Sequence, residues 1–206
     1  MGSISKIYTG GIAATNGYVY QSSEGIILFD APEGIADWLA KNQFHPKALI
    51  LTHQHFDHVM DAAAVKSRFQ CPIYSWDAYS KDLTLETLFA QQAGFSVDVP
   101  PFEVDYVLKN TESLELLGVR WALFHIPGHS PDSVCMHDAA SHLLMAGDVL
   151  FAEGVGRTDF PGGSHQRLIS GIQEKLLPLP DQTQVYPGHG PDTTIGHERL
   201  GNPYLE

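Results

Sequence analysis

Residues Leu51 to Asp61 read LTHQHFDHVMD, directly after the apolar run KALIL. Four coordinating side chains, His53, His55, Asp57 and His58, fall within six positions. A solvated loop has no need of them, and a buried core would not tolerate them without partners. Two positions apart on extended chain, His53 and His55 lie on one face, so both imidazoles can aim at one ion. Asp57 and His58 open the helix that follows, where the backbone turns and their side chains diverge toward a second position. Imidazole mixed with carboxylate suits zinc, iron or manganese.

Four residues cannot serve two ions. The chain offers three more at the exits of apolar strands: His129 in IPGHS, Asp148 in LLMAGDVLF and His189 in YPGHG. Each follows a glycine, which supplies the backbone angles such turns demand. Singly, a histidine after a strand is more often a surface group, and an aspartate more often a turn residue. Beside the HxHxDH run they become candidate ligands. Seven ligands exceed the ordinary coordination of one ion, so two divalent ions are expected, zinc first, with iron or manganese as alternatives. A closed structural metal site would be rich in cysteine, and none of the seven is one.

Taken together, THQHFDH, PGHS, GDVLF and PGHG resemble the metallo-β-lactamase superfamily. GVGRTDFPGGS and YPGHGPDTTIGHERLGNPYL are similar to its single-domain glyoxalase II-like (hydroxyacylglutathione hydrolase-like) members, and the resemblance runs from Asn16 to Leu205. It implies an α/β fold, an αββα sandwich of the metallo-β-lactamase type with a two-metal site along one edge of the sheets. Carried over residue by residue, it puts His53, His55 and His129 on the first metal and Asp57, His58 and His189 on the second. Asp148 would bridge both. A hydroxide shared by the metals would be the nucleophile, and Asp57 and Asp148 are catalytic candidates as well as ligands. Asp30, at the end of GIILFD, would orient a ligand imidazole. Two departures stand out, neither at a ligand. The family's glycine three residues after the last motif histidine is Asp61 here, and its Pro-Gly-Ser after the PGH turn is Pro131-Asp132-Ser133. By the same resemblance, true metallo-β-lactamases lack an aspartate like Asp148, so antibiotic hydrolysis is not expected.

A metal-activated hydroxide attacking a carbonyl favours a thioester over an amide, because a thiolate leaves without a strong general acid. The expected substrate is a small-molecule thioester such as an S-acylglutathione. One rival is a mono-iron persulfide dioxygenase, which by resemblance shares the fold, the HxHxDH run and a GRTDF-like stretch, and would use His53, His129 and Asp148. Lactone hydrolysis is a smaller alternative on the same chemistry.

The rest of the chain narrows the partners. Its 206 residues suggest one domain, spanning 1–206, and 43% hydrophobic content suits a globular core. A formal charge of −12, with no Lys/Arg cluster, argues against nucleic acid. No signal-like or membrane-length apolar run appears, so a cytoplasmic protein without a membrane partner is expected. Cys71 and Cys135 read as two small buried hydrophobes. The glycine-rich EGVGRTDFPGG lacks the Lys-Ser/Thr of a phosphate loop and reads as an edge of the site. Arg157 and Asp159 within it are expected to pair, with Arg157 a candidate for substrate binding. His125, four before His129, is expected on the same side and in contact with a ligand.

Local patterns predict a hairpin from GYVYQSS and GIILFDAP, and helices over EGIADWLAKNQ, DHVMDAAAVKSRF, LTLETLFAQQA, SHQRLISGIQEKLL (capped by Ser164) and TTIGHERLGNPYL. Strands are predicted over KALILTH, PIYSW, VDYVL, SLELLG, VRWALFHI, SVCMHD, HLLMAGDVL and TQVYPGHG. Mostly strands with helices inserted between them fits two packed sheets with helices outside.

Overall fold

A computed structural model describes residues 2–93 and 97–205. Strands β1 (Ser3–Gly10), β2 (Thr15–Gln21), β3 (Ile26–Phe29), β4 (Pro46–Ile50), β5 (Ile73–Ser75) and β6 (Tyr106–Val107) form one sheet in that order. The second sheet takes β7 (Ser113–Leu116), β8 (Val119–His125), β9 (Val134–Asp138), β10 (Leu143–Gly147), β13 (Gln184–Pro187) and β14 (Thr193–Thr194), in the order β14-β13-β10-β9-β8-β7. A small hairpin, β11 (Leu150–Phe151) and β12 (Gly154–Val155), stands apart. The chain passes from the first sheet to the second once, through residues 108–112.

Period-two alternation explains the layering. On the first sheet, Tyr18, Tyr20, Ile27, Phe29, Ala48 and Ile50 point inward, against Trp121, Leu123, Met136 and Met145 of the second. Their neighbours Val19, Leu28, Leu49 and Ile73 point outward, under helices α1 (Ile35–Lys41) and α3 (Ala62–Phe69). The second sheet turns Cys135, Leu144, Ala146 and Val185 outward, under α6 (His165–Gly171) and the π-helical turn Ile172–Leu176. Both faces of each sheet are covered, giving the expected αββα sandwich. Tyr20, Phe29 and Trp121 interlock edge-to-face at its centre, with ring centroids 4.9–6.4 Å apart. Truncating such a ring to alanine costs about 3–5 kcal/mol.

Most predicted elements stand. The β2–β3 hairpin turns at Ser22–Gly25, and the Ser164 hydroxyl accepts the Arg167 amide at the start of α6. Cys71 and Cys135 are buried thiols. Three features differ. The helix expected over 57–69 is two: α2 (Phe56–Val59) and α3. Ala31 separates them, its amide bonding the His58 carbonyl and its carbonyl accepting the Asp61 amide. The helix expected over 83–93 is likewise split into α4 (Lys81–Thr84) and α5 (Glu86–Ala93), because Leu85 adopts φ +57. Strand β1 has no counterpart in the expected elements. The glycine replaced by Asp61 is not needed here, since Asp61 has φ −99. Its carboxylate accepts the Ala36 amide at the N-terminus of α1, which has no cap of its own. Among the described residues, no helix is long and apolar enough to cross a membrane.

Candidate metal centre

The seven predicted residues converge at one edge of the sandwich, each just beyond the C-terminal end of a strand. His53, His55, Asp57 and His58 follow β4, His129 follows β8, Asp148 lies between β10 and β11, and His189 follows β13. His53 and His55 are not on the strand itself, which ends at Ile50. The segment between is extended enough to keep their rings 4.5 Å apart. The donor atoms of His53, His55 and His129 lie within 4.8 Å of one another, and so do those of Asp57, His58 and His189. Asp148 stands between the two groups. Its Oδ1 is 3.3 Å from His58 Nε2, and its Oδ2 is 3.3 Å from Nε2 of both His129 and His189.

The ring nitrogens turned away from the cluster are held in four of the five histidines. His58 Nδ1 meets Asp30 Oδ2 at 2.9 Å, which bears out the orienting role expected of Asp30. Asp30 sits at φ +58 and also accepts the Thr52 amide and hydroxyl, both at 2.8 Å. His53 Nδ1 meets the Thr52 hydroxyl, His129 Nδ1 the Arg157 carbonyl, and His189 Nδ1 the Ala13 carbonyl. Such partners fix the ring plane and leave Nε2 for the cluster. Thr15 donates its hydroxyl to Asp57 Oδ2 at 2.6 Å. Gly188 is required by close approach: a Cβ there would lie 2.1 Å from Asp148 Oδ1. Gly147, at φ +49, makes the turn that presents Asp148.

Nε2 of His53, His58 and His129 and Oδ1 of Asp148 are buried without a hydrogen-bond partner among the described residues. Buried polar atoms are rarely left so. Without an ion, burial pushes the His53 and His129 imidazoles down and His55 to about 3, so all three are neutral donors. Burial opposes charge on His58 and His189 too, but carboxylates outweigh it. Asp57, Asp148 and Asp30 lift His58 well above its usual range, and Asp148 and Asp57 lift His189 to about 10. The same contacts overcome burial at Asp57, held at about 2, and at Asp148, held well below the carboxylate range. His53, His55 and His129 are thus neutral around two anionic carboxylates, while His58 and His189 hold protons that a divalent cation would displace. These clusters are suited to hold metal ions.

Above them opens a cleft of about 400 Å³, lined by Ala13, His55, Phe56, Asp57, Phe89, His129, Asp148, Phe151, Val155, Arg157, Phe160 and His189. Arg157 and Asp159 pair as expected, at 2.6 and 2.7 Å, and the guanidinium lies 4.2 Å over the Phe160 ring. His125 is not where the spacing put it. The chain turns through Ile126–Gly128, and His125 instead stacks on Trp76 at 4.2 Å and hydrogen-bonds the Pro131 carbonyl. Asp132, the other departure from the family pattern, is buried and accepts the Ser130 hydroxyl. The sequence reading missed Thr15, Thr52, the Ala13 carbonyl and the phenylalanine walls. Thr15 lies 42 residues from Asp57, and no local signal links them.

Fold and site together define the class. The metallo-β-lactamase superfamily model matches residues 10–189, and the chain belongs to that superfamily. Among its relatives, the hydroxyacylglutathione hydrolase GloC of Haemophilus influenzae is 41% identical over 162 residues, 77% of this chain and 76% of that one. The crystal structure of BLEG-1, described as a B3 metallo-β-lactamase, superposes with a TM-score of 0.86 at 36% identity, covering 100% of this chain and 99% of that one. TTHA1623, solved in a di-iron-bound form, superposes with a TM-score of 0.83 at 36% identity, covering 97% and 100%.

Proposed function

We propose that this chain is a metal-dependent hydrolase that cleaves small-molecule thioesters with two divalent ions. The observation that carries the reading is the second cluster. A mono-iron dioxygenase would use only His53, His129 and Asp148, yet Asp57, His58 and His189 also converge, with Asp30 and Thr15 holding two of them in place. His53, His55 and His129 would hold one ion, Asp57, His58 and His189 the other, and Asp148 would lie between them. Two bound ions would supply a hydroxide near neutral pH and polarise a carbonyl. Zinc is the first candidate, with iron or manganese as alternatives; likeness to a di-iron-bound structure keeps iron open.

The chain's own residues do the positioning. Asp30 and the Ala13 and Arg157 carbonyls fix three imidazole planes, and Phe56, Phe89, Phe151 and Phe160 give the cleft apolar walls. Among the described residues lining the cleft, none beyond the cluster is a strong general acid, which favours a thiolate leaving group over an amine. The GloC relative supports an acylglutathione as one such substrate. The likeness to BLEG-1 supports a second reading, β-lactam hydrolysis at the same site. We place the enzyme in the cytoplasm, acting without nucleic-acid or membrane partners; the charge of −12 and two unpaired thiols support this.

The deciding experiment is elemental analysis of the purified protein, with thioester, persulfide and cephalosporin turnover assayed side by side. Thioester hydrolysis with about two ions per chain is expected. One iron per chain with persulfide oxidation, or lactam hydrolysis alone, would overturn the proposal.

A further inference from the structure

The cleft over the cluster has two unlike sides. On one, Phe56, Phe89, Phe160 and His55 form a continuous aromatic run, with centroids 4.8, 5.6 and 5.4 Å apart. Phe160 also lies against His129 at 6.1 Å and is clamped from outside by the Arg157 guanidinium. Phe56 and His55 are buried and Phe89 and Phe160 half-buried, so packing forms the wall without a ligand. Among the described residues Arg157 is the one lysine or arginine lining the cleft, and Asp159 fills its fork. On the other side, beyond Phe56 and Asp57, a second hollow of about 430 Å³ continues the first. Gly11, Ile12, Met60 and Val97 line it, with Glu33 and Asp98, and none of the described residues lining it is basic. Ile12, Glu33 and Asp98 are exposed, so this side is open to solvent.

We infer that the site takes thioesters with an aromatic acyl arm and an uncharged thiol arm, with Phe160 and Phe89 setting the preference. The inference rests on the thioesterase reading above. The reacting carbonyl must sit over the cluster. The amide-bearing thiol arm suits the more polar hollow beside Glu33 and Asp98, which leaves the more apolar aromatic wall to the acyl group. A flat apolar arm loses water against Phe160 and Phe89 and gains edge or face contact with them. A carboxylate on the thiol arm would face Glu33 and Asp98, with no unpaired lysine or arginine among the described residues lining either hollow. That disfavours anionic thiols, glutathione included, relative to a neutral thiol.

The test compares S-phenylacetyl- with S-acetyl-N-acetylcysteamine on the metal-loaded enzyme. Each kcat/KM is divided by the rate of hydroxide-catalysed hydrolysis of the same ester. The phenylacetyl ester is expected to lead by at least about tenfold, the scale of burying one ring against two others. Phe160→Ala should cut that ratio below about threefold, and Phe89→Ala gives an independent reading of the same wall. Glu33→Gln with Asp98→Asn should raise S-phenylacetylglutathione relative to the neutral ester by about threefold or more at low salt. Equal use of the two acyl groups, or a ratio untouched in both phenylalanine variants, overturns the inference while leaving the thioesterase reading intact. A non-hydrolysable pair, S-phenacyl- and S-acetonyl-N-acetylcysteamine, separates the two claims by calorimetry. Tenfold tighter phenacyl binding that Phe160→Ala abolishes upholds the aromatic wall even if no thioester is turned over. Equal binding of the pair refutes it.

Discussion

Replacing Asp148 by asparagine keeps the side chain's shape and deletes one charge. That charge lies 3.3 Å from Nε2 of His58, His129 and His189, at the junction of the two clusters. At an effective dielectric of about 20, one unit-charge pair at that distance is worth about 5 kcal/mol. Relaxation and water entry recover part of the loss. Half of it, about 2.5 kcal/mol, is close to a hundredfold change in an equilibrium or rate constant. Metal affinity and thioester kcat/KM are therefore both expected to fall by at least about a hundredfold, the scale seen when an enzyme loses one key electrostatic element. The assay pairs chelator-competition titration of the metal with steady-state kinetics. Circular dichroism confirms that the variant folds. His125→Ala is the control. It loses a stack on Trp76 and a bond to Pro131, both away from the cluster, and should cost less than about tenfold. An Asp148→Asn protein that binds two ions and turns over almost normally would remove Asp148 from between them.

Three further outcomes are expected. Elemental analysis should give about two ions per chain, since each of the two clusters brings three metal-ligating side chains together; a single ion that saturates activity would contradict this. S-lactoylglutathione should show a high Michaelis constant, and a lactoyl thioester of a truncated thiol should match its specificity constant within about tenfold, or 1.4 kcal/mol. The reason is that Arg199 is the sole lysine or arginine after His189, and Lys81 the sole one between residues 77 and 103; a preference for glutathione beyond about a thousandfold would show a clamp these residues do not provide. Asp132, pushed by burial from 3.8 to about 6, binds a proton more tightly folded than unfolded, so its share of stability is full below the unfolded value and is lost as pH rises toward 6. Asp132→Asn should thus stabilise the protein by up to about 3 kcal/mol at pH 8 and scarcely at pH 3.5, read from denaturant titrations; a pH-independent effect would refute the assignment.

How much of this was legible depends on the range of the signal. The HxHxDH run and the glycine-flanked exits are local, and the seven residues converge in the two groups that the family resemblance implied. The helix break at Met60–Asp61 was not legible, because it is made by Ala31, an element away, taking the hydrogen bonds that would have continued the ladder. Strand β1 is mostly exposed along its length, so it carries no apolar stripe to read. His125 misled because a period-two argument holds only while the chain stays extended, and β8 ends at that residue. The aromatic wall joins Phe89 to Phe160 across 71 positions, a contact only the folded chain defines.

The single passage between the sheets has a consequence for taking the molecule apart. Lys109 and Asn110 in that passage are exposed, the kind of tip that tolerates nicking. A cut there yields one piece carrying His53, His55, Asp57 and His58 and another carrying His129, Asp148 and His189. Neither piece holds a whole site, and the inward aromatic face of each is the other's complement. The protein is in effect a two-key lock: catalysis would report reassembly of the pieces, with no background from either alone.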